Sequence, residues 1–187
     1  MLQQTQVDRV QKFYGRFLRR YPSFAALAAA PEPEVRESWE GLGYYARARH
    51  LHRTAQMVVR EHGGRLPDDP VSIRRLPGIG RYTAGAVLSI AYGRDAAILD
   101  TNAARVLSRV FRLRRRGGKA RFQRRLWTVA EQVTPPGGAA EFNQAIMDLG
   151  ATICRARSPR CAACPVRPLC GYDKAVRQEA GGGRRKA

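Results

Sequence analysis

Four cysteines are gathered at one end of this chain: Cys154, Cys161, Cys164 and Cys170, spaced C-x6-C-x2-C-x5-C within the last 34 residues. The long body before them has no cysteine at all. Four thiolates so close in sequence point to one shared ligand, an iron–sulfur cluster or a structural zinc ion. Zinc ribbons usually carry two short Cys-x-x-Cys knuckles, and only the Cys161–Cys164 pair has that form. Two disulfides are the third reading, in any of three pairings. They suit an exported chain, yet residues 1–4 show neither a basic n-region nor an apolar h-region. An iron–sulfur cluster therefore ranks first, zinc second and disulfides last.

The charge is as one-sided as the cysteines. Among 187 residues, 34 are Lys or Arg and 15 are Asp or Glu, a formal charge of +19. Such an excess calls for a polyanionic partner, most simply nucleic acid. A solvated basic surface of the ribosomal type is the plainer explanation, but 44% hydrophobic residues are enough to build a real core. No apolar run approaches the ~18 residues of a membrane span. A cytoplasmic, nucleoid-associated location is expected, where thiols stay reduced.

The apolar periodicity is helical nearly throughout, and no strand pattern stands out, so the fold class is all-α. Thr5, with Asp8 three residues on, predicts a capped helix over 6–21 with Val7, Val10, Tyr14, Phe17 and Leu18 as its apolar stripe. Ser23 predicts the cap of a short second helix. Further helices are expected over 32–40, over 44–62 with Leu51, Ala55, Val58 and Val59 inward, and near 70–75. Others are expected over 81–92, after Asp100 or Thr101, and over 120–133 and 139–153. Gly41, Gly43 and the pair Gly63-Gly64 supply the stops. Residues 171–187 read as a basic, disordered tail.

Two local features carry chemistry. Leu76-Pro77-Gly78-Ile79-Gly80 between helices has the form of a helix–hairpin–helix. Gly78 and Gly80 let the backbone turn sharply and approach another surface, and the following helix N-terminus, with Arg81, can receive a phosphate. An ordinary αα-turn is the plainer reading of the pentapeptide alone. Twenty residues beyond Gly80 stands Asp100, in Ile98-Leu99-Asp100-Thr101-Asn102. An aspartate before a helix is by itself most simply an N-cap.

Taken together, these pieces resemble the helix–hairpin–helix (HhH-GPD) DNA glycosylase superfamily, which includes endonuclease III, and within it the MutY-type adenine glycosylases. The cysteine spacing is that of the family's cluster. Met1-Leu2-Gln3-Gln4-Thr5-Gln6-Val7 and Gly41-Leu42-Gly43-Tyr44-Tyr45-Ala46-Arg47-Ala48-Arg49 are similar to MutY-type signatures. So is Phe142-Asn143-Gln144-Ala145-Ile146-Met147-Asp148-Leu149-Gly150. The resemblance implies a six-helix barrel domain with the hairpin over 1–94. It also implies a 4Fe-4S cluster domain over 95–170 that carries the catalytic aspartate, with DNA in the groove between them. The implied partner is double-stranded DNA containing a mismatch or oxidised guanine, and a monomer is expected because nothing in the sequence suggests an oligomer. The target base is flipped out of the stack. Asp100 then stabilises the oxocarbenium-like sugar, and Asn102 organises the same site. Tyr82 stands where strand-cleaving members carry a lysine. A phenol cannot form a Schiff base, so base removal without efficient strand cleavage is expected. Gln4, Thr5, Leu42 and Tyr44 match residues that fill or probe the stack around the lesion. Arg47 and Arg49 are expected to serve phosphates or the surface.

The chain departs from that pattern in three places. The branch's catalytic glutamate falls three residues before Leu2, ahead of Met1, so an N-terminally truncated chain or a start assigned too late is expected, with impaired excision for the chain as it stands. Glu37 and Glu40 are read as surface residues and not as substitutes. The 8-oxoguanine-reading C-terminal domain of many relatives has no counterpart after Cys170, as in thymine-mismatch enzymes of the superfamily. Thr101 stands where glycine is frequent. A thymine/uracil–guanine mismatch glycosylase and a non-catalytic, cluster-bearing DNA-binding protein are therefore the alternatives to the adenine enzyme. The charge balance has a direct expected outcome. Duplex affinity should fall steeply between low and moderate salt, with a log–log slope of about −0.9 per phosphate neutralised; a flat titration would contradict the electrostatic reading.

Overall fold

The computed structural model describes residues 1–173, so most of the tail expected over 171–187 lies outside the described residues. No strand occurs among the described residues, in keeping with the all-α expectation. No helix among them is long and apolar enough to cross a membrane. By packing, the chain forms two compact units, Met1–Gly80 and Arg81–Ala187.

The first unit is built on helices α1 (Val7–Arg20), α2 (Phe24–Ala29), α3 (Glu32–Glu37), α4 (Ala46–Glu61) and α5 (Pro70–Arg75). Val10 and Phe17 of α1 point inward and meet Leu27, Val35 and Trp39, with Tyr21 just past the helix end. Phe17 makes edge-to-face contacts with Tyr21 at 5.0 Å and Trp39 at 5.7 Å between centroids. Val7, Tyr14 and Leu18 of the expected stripe are exposed instead, so the buried face is narrower than the pattern suggests. Ser23 caps α2 by accepting from Ala26 N at 3.1 Å, as expected. Helix α3 stops at Glu37, short of residue 40, and the chain turns to bury Trp39. In α4 the inward residues are Ala48, His52, Thr54, Ala55 and Val58, while Val59 is exposed. The helix ends on Gly63 and Gly64, both at positive φ, with Gly64 N donating back to Val58 O. Asp69 caps α5 through Val71 N and Ser72 N, and those bonds hold its carboxyl below the usual carboxylate range.

The second unit contains α6 (Arg81–Ala86), α7 (Thr101–Val110), α8 (Gly118–Val133) and α9 (Ala139–Asp148). Its core joins Leu99, Ala103, Val106 and Leu107 to Phe122, Leu126, Trp127, Ala130 and Ile146. The helices expected over 81–92 and 139–153 each finish as a π-helical turn, Val87–Ala91 and Leu149–Ile153. A hydroxyl explains both widenings. Ser89 Oγ donates to Gly85 O at 2.7 Å and Thr152 Oγ1 to Asp148 O at 2.7 Å, occupying the carbonyl four residues back.

The first of these turns is tied to α9 through a buried polar contact. Asn143, 1% exposed, donates from Nδ2 to Ser89 Oγ at 2.9 Å and to Ala96 O at 2.8 Å. The segment carrying Ala96 and Ala97 lies so close to α6 that a Cβ on Gly85 would stand 2.2 Å from Ala97 O. Two Gly→Ala exchanges should therefore have opposite signs in denaturant titrations. Gly85→Ala should cost about 3 kcal/mol or more, because backbone must move. Gly15→Ala, inside α1 with only the tip of Arg19 near its Cβ, should stabilise by about 0.5–1 kcal/mol.

Candidate active site and cysteine cavity

Asp100 sits at the N-cap of α7, with extended backbone. Its Oδ1 accepts from Ala103 N at 2.6 Å, and its carbonyl accepts from Ala104 N. The capping expectation and the catalytic expectation thus fall on one carboxylate. One carboxylate oxygen is consumed by the cap, while the other accepts no bond from the described residues. Tyr82, in the first turn of α6, is close enough to feel that charge. Burial raises the phenol above its ordinary pKa, and the Asp100 carboxylate raises it further, so Tyr82 is neutral at physiological pH. Its hydroxyl lies 3.6 Å from Met147 Sδ on α9.

Asn102 lies two residues further along, in the first turn of α7. Its Oδ1 accepts from Arg105 Nη2 at 2.7 Å. The same guanidinium donates to Gly150 O at 2.7 Å and, through Nε, to Cys154 O at 2.8 Å. Gly150 is a forced choice: a Cβ there would meet Asn102 Cβ at 2.6 Å and its backbone at 3.0 Å. Arg109, one turn on, donates to the carbonyls of Cys154, Arg155 and Ala156 and lies 3.3 Å from Cys154 Sγ. It also stacks over Tyr172. Asn102, Arg105 and Arg109 thus tie α7 to the cysteine segment.

The four cysteines, brought in by short 3-10 turns at Cys161–Ala163 and Arg167–Leu169, line one cavity together with Arg109, Ile153, Pro159, Arg167, Tyr172 and Asp173. All four are free thiols, so the disulfide reading is not realised. Among the described residues no three His, Cys, Asp or Glu side chains close onto a single ion position; the thiols border a shared space. Burial pushes the Cys161 thiol up, and the negative groups around it, Asp173 first and then the other cysteines, push it further. Four sulfur donors converging on one cavity where negative charge repels itself are a donor set fitted to a cationic, thiophilic group.

In the first unit the residues expected to meet DNA separate into two kinds. Tyr44 is 62% exposed and Gln4 is exposed, and both hold left-handed backbone, φ 50 and φ 59. Leu42 is 4% exposed and belongs to the core; only its carbonyl serves the loop. Thr5 does not cap α1, whose N-cap is Gln6. Its hydroxyl instead faces Leu42 O at 3.4 Å and accepts from Arg47 Nη2 at 2.8 Å. Arg47, expected on a phosphate or the surface, is turned inward. It donates to the carbonyls of Met1, Gln3, Leu42 and Gly43 as well as to Thr5, over the rings of Trp39 and Tyr44. Burial lowers its pKa. Glu37 and Glu40 border an open surface groove with Tyr45 and Arg49, consistent with surface roles.

The hairpin glycines also divide. Thr54 Oγ1 donates to Pro77 O at 3.0 Å, and Ile79 N to Leu76 O, fixing the turn on α4. Gly78 has φ 75, and a Cβ there would meet His50 Cβ at 2.8 Å. Gly80 has nothing within 4 Å of an added Cβ. Arg81 is already engaged, paired with Glu131 and lying 4.0 Å over the Trp127 ring. Sequence reasoning put Arg47 on a phosphate or the surface and gave no signal for Arg105 or Arg109, because their partners are mostly backbone carbonyls.

Residues 1–132 match the family profile described as HhH-GPD superfamily base excision DNA repair protein. The adenine DNA glycosylase of Homo sapiens is 43% identical over 180 residues, 96% of this chain and 33% of that protein; the chain spans about a third of the length of this relative. Among solved structures, a thermostable thymine-DNA glycosylase superposes with a TM-score of 0.82 at 34% identity, covering 93% of this chain and 80% of that one. A trapped covalent intermediate of endonuclease III with DNA gives 0.78 at 26% identity, over 93% and 80%. The two glycines provide a test of the hairpin. Gly80→Ala should leave thermal stability nearly unchanged and weaken duplex binding severalfold, because its Cβ meets only what docks there. Gly78→Ala should lose stability by about 1–3 kcal/mol before any DNA is added.

Proposed function

The chain belongs to the HhH-GPD superfamily of base excision DNA repair proteins, and we propose that it is a monofunctional DNA N-glycosylase that removes adenine mispaired with 8-oxoguanine or guanine. The observation that carries this reading is the N-capping carboxylate of α7, Asp100, whose charge adds to burial in keeping the Tyr82 phenol of α6 neutral. Breaking an N-glycosidic bond builds positive charge on the deoxyribose. A carboxylate at a helix N-terminus, with one oxygen left unbonded by the described residues, is placed to stabilise that charge. Asn102, held by Arg105, keeps the neighbouring polar surface fixed. Tyr82 lines the base or sugar pocket as an uncharged wall, and its phenol cannot capture the sugar as a Schiff base. Strand cleavage by the lyase route is therefore absent.

The target base is extruded from duplex DNA. Gln4 and Tyr44, exposed on strained backbone, probe the stack. Gly78, Gly80 and Arg81 form the backbone-binding hairpin, and Thr5 and Leu42 support the probing loop from within. In functional terms residues 1–94 form the barrel with the hairpin, and residues 95–170 form the domain with the carboxylate and the cysteines. Cys154, Cys161, Cys164 and Cys170 hold a 4Fe-4S cluster, whose contribution is to order the loop bearing Arg155, Arg157 and Arg160. The protein acts as a monomer on the genome, nucleoid-associated within the cytoplasm.

Adenine is favoured by the similarity to an adenine DNA glycosylase across 96% of the chain. The thymine–guanine alternative rests on the 34% identity to a thymine-DNA glycosylase of which the chain covers 80%. Single-turnover base release decides, measured on this chain and on the same chain extended in frame upstream of Met1. Adenine release opposite 8-oxoguanine is expected from the extended form. Release of thymine opposite guanine instead selects the alternative, and tight binding with no release selects a non-catalytic protein. Asp100→Asn should keep the helix cap, since Asn caps as well as Asp. It should lower release by at least about 10²-fold with duplex affinity within a few-fold of the parent.

A further inference from the structure

The segment joining α7 to α8 is charged far beyond what the fold uses. Residues 112–125 hold eight Lys or Arg side chains, and no Asp or Glu occurs between Asp100 and Glu131. All eight are exposed, and no ion pair is made by any of them among the described residues. The nearest carboxylate along the chain, Glu131, is taken by Arg81.

Three contacts fuse the loop and the helix into one surface. Arg121 lies back over Gly117, with its Cδ 2.7 Å from where a Cβ would stand. Arg125 Nη1 reaches Arg114 O at 3.5 Å. Arg115 stacks over Phe122 at 5.6 Å, which anchors the loop on the core. Helix α8 buries Phe122, Leu126, Trp127 and Ala130, so Arg121, Arg124 and Arg125 stand on its outer side. The helix is also charged against its own dipole. Its N-cap, Gly117, makes no side-chain bond, and its first turn carries Lys119 and no acid. Like charges packed at a positive helix end destabilise the isolated protein, and an external polyanion relieves that repulsion. Local rules broken without an internal compensation mark a surface kept for a partner.

We propose that residues 112–125 form a second DNA-binding surface that grips the sugar–phosphate backbone of duplex DNA away from the extruded base. The inference rests on the DNA-repair reading above. Helix α7, about 15 Å long, separates this surface from Asp100, so it holds DNA without touching the chemistry. Its role is to raise affinity for undamaged duplex and so lengthen the time spent scanning.

The test compares two variants of equal charge: Arg114→Gln/Arg115→Gln/Arg116→Gln in the loop, and Arg9→Gln/Arg16→Gln/Arg19→Gln on the exposed side of α1. Affinity for an undamaged duplex is measured across a salt series, with thermal midpoints to show that both fold. The loop variant should bind at least about tenfold more weakly at low salt, and its log–log salt slope should fall by about 2–3. The α1 variant should change by much less. Equal losses in both variants, or no loss in the loop variant, overturn the proposal. So does a loss confined to single-stranded RNA. Base release is followed separately at saturating enzyme. If the parent releases no base yet the loop variant loses duplex affinity, the surface stands and the glycosylase reading falls. If release is unchanged while the slope drops, both stand.

Discussion

Helix α7 concentrates the constraints of the second unit into ten residues. Its N-terminus must be capped, and Asp100 does so with one of its two carboxylate oxygens. Its following turns must reach the cysteine segment, and Arg105 and Arg109 do so through carbonyl oxygens and one sulfur. A guanidinium is suited to that task because its planar fork satisfies several acceptors at once, where a lysine ammonium is a single point charge. The geometry of the carboxylate therefore depends on how the cysteine loop is laid down, and Gly150 lets that loop lie directly on Asn102.

A second constraint is the close approach of backbone to backbone around α6. The stretch 96–97 passes so near Gly85 that no side chain fits, and Ser89 and Asn143 satisfy the polar groups trapped there. The cost of burying an amide is offset only because each of its partners is in place. The π-helical turn at Val87–Ala91 belongs to the same arrangement, since the Ser89 hydroxyl that receives Asn143 is the one that opens the helix.

Much of this was legible in the residues. The cysteine spacing led to four thiols on one cavity, Asp100 led to a helix cap, and Ser23 and the Gly63-Gly64 pair marked real boundaries. What escaped has a common cause. Thr5 has the right neighbours to cap α1, but Arg47 takes its oxygen from forty-two positions away. Leu42 and Tyr44 stand two residues apart in one motif, yet one is core and the other solvent, because positive φ at Gly43 and Tyr44 turns the chain between them. The π-helical turns leave no periodic trace, since they arise from single hydroxyls. Apolar period and turn chemistry are written locally; guanidinium-to-carbonyl bonds are not.

Arg47 has one further consequence. Four of its five acceptors are main-chain carbonyls, at Met1, Gln3, Leu42 and Gly43. A carbonyl is present whatever side chain its residue carries. The shape of the loop that displays Gln4 and Tyr44 is thus insulated from most changes in its own lettering. Displayed residues can be exchanged by mutation while the platform keeps its form, so evolution can retune what the loop senses without redesigning how it is held. The insulation has a single point of failure, for all of it passes through one arginine.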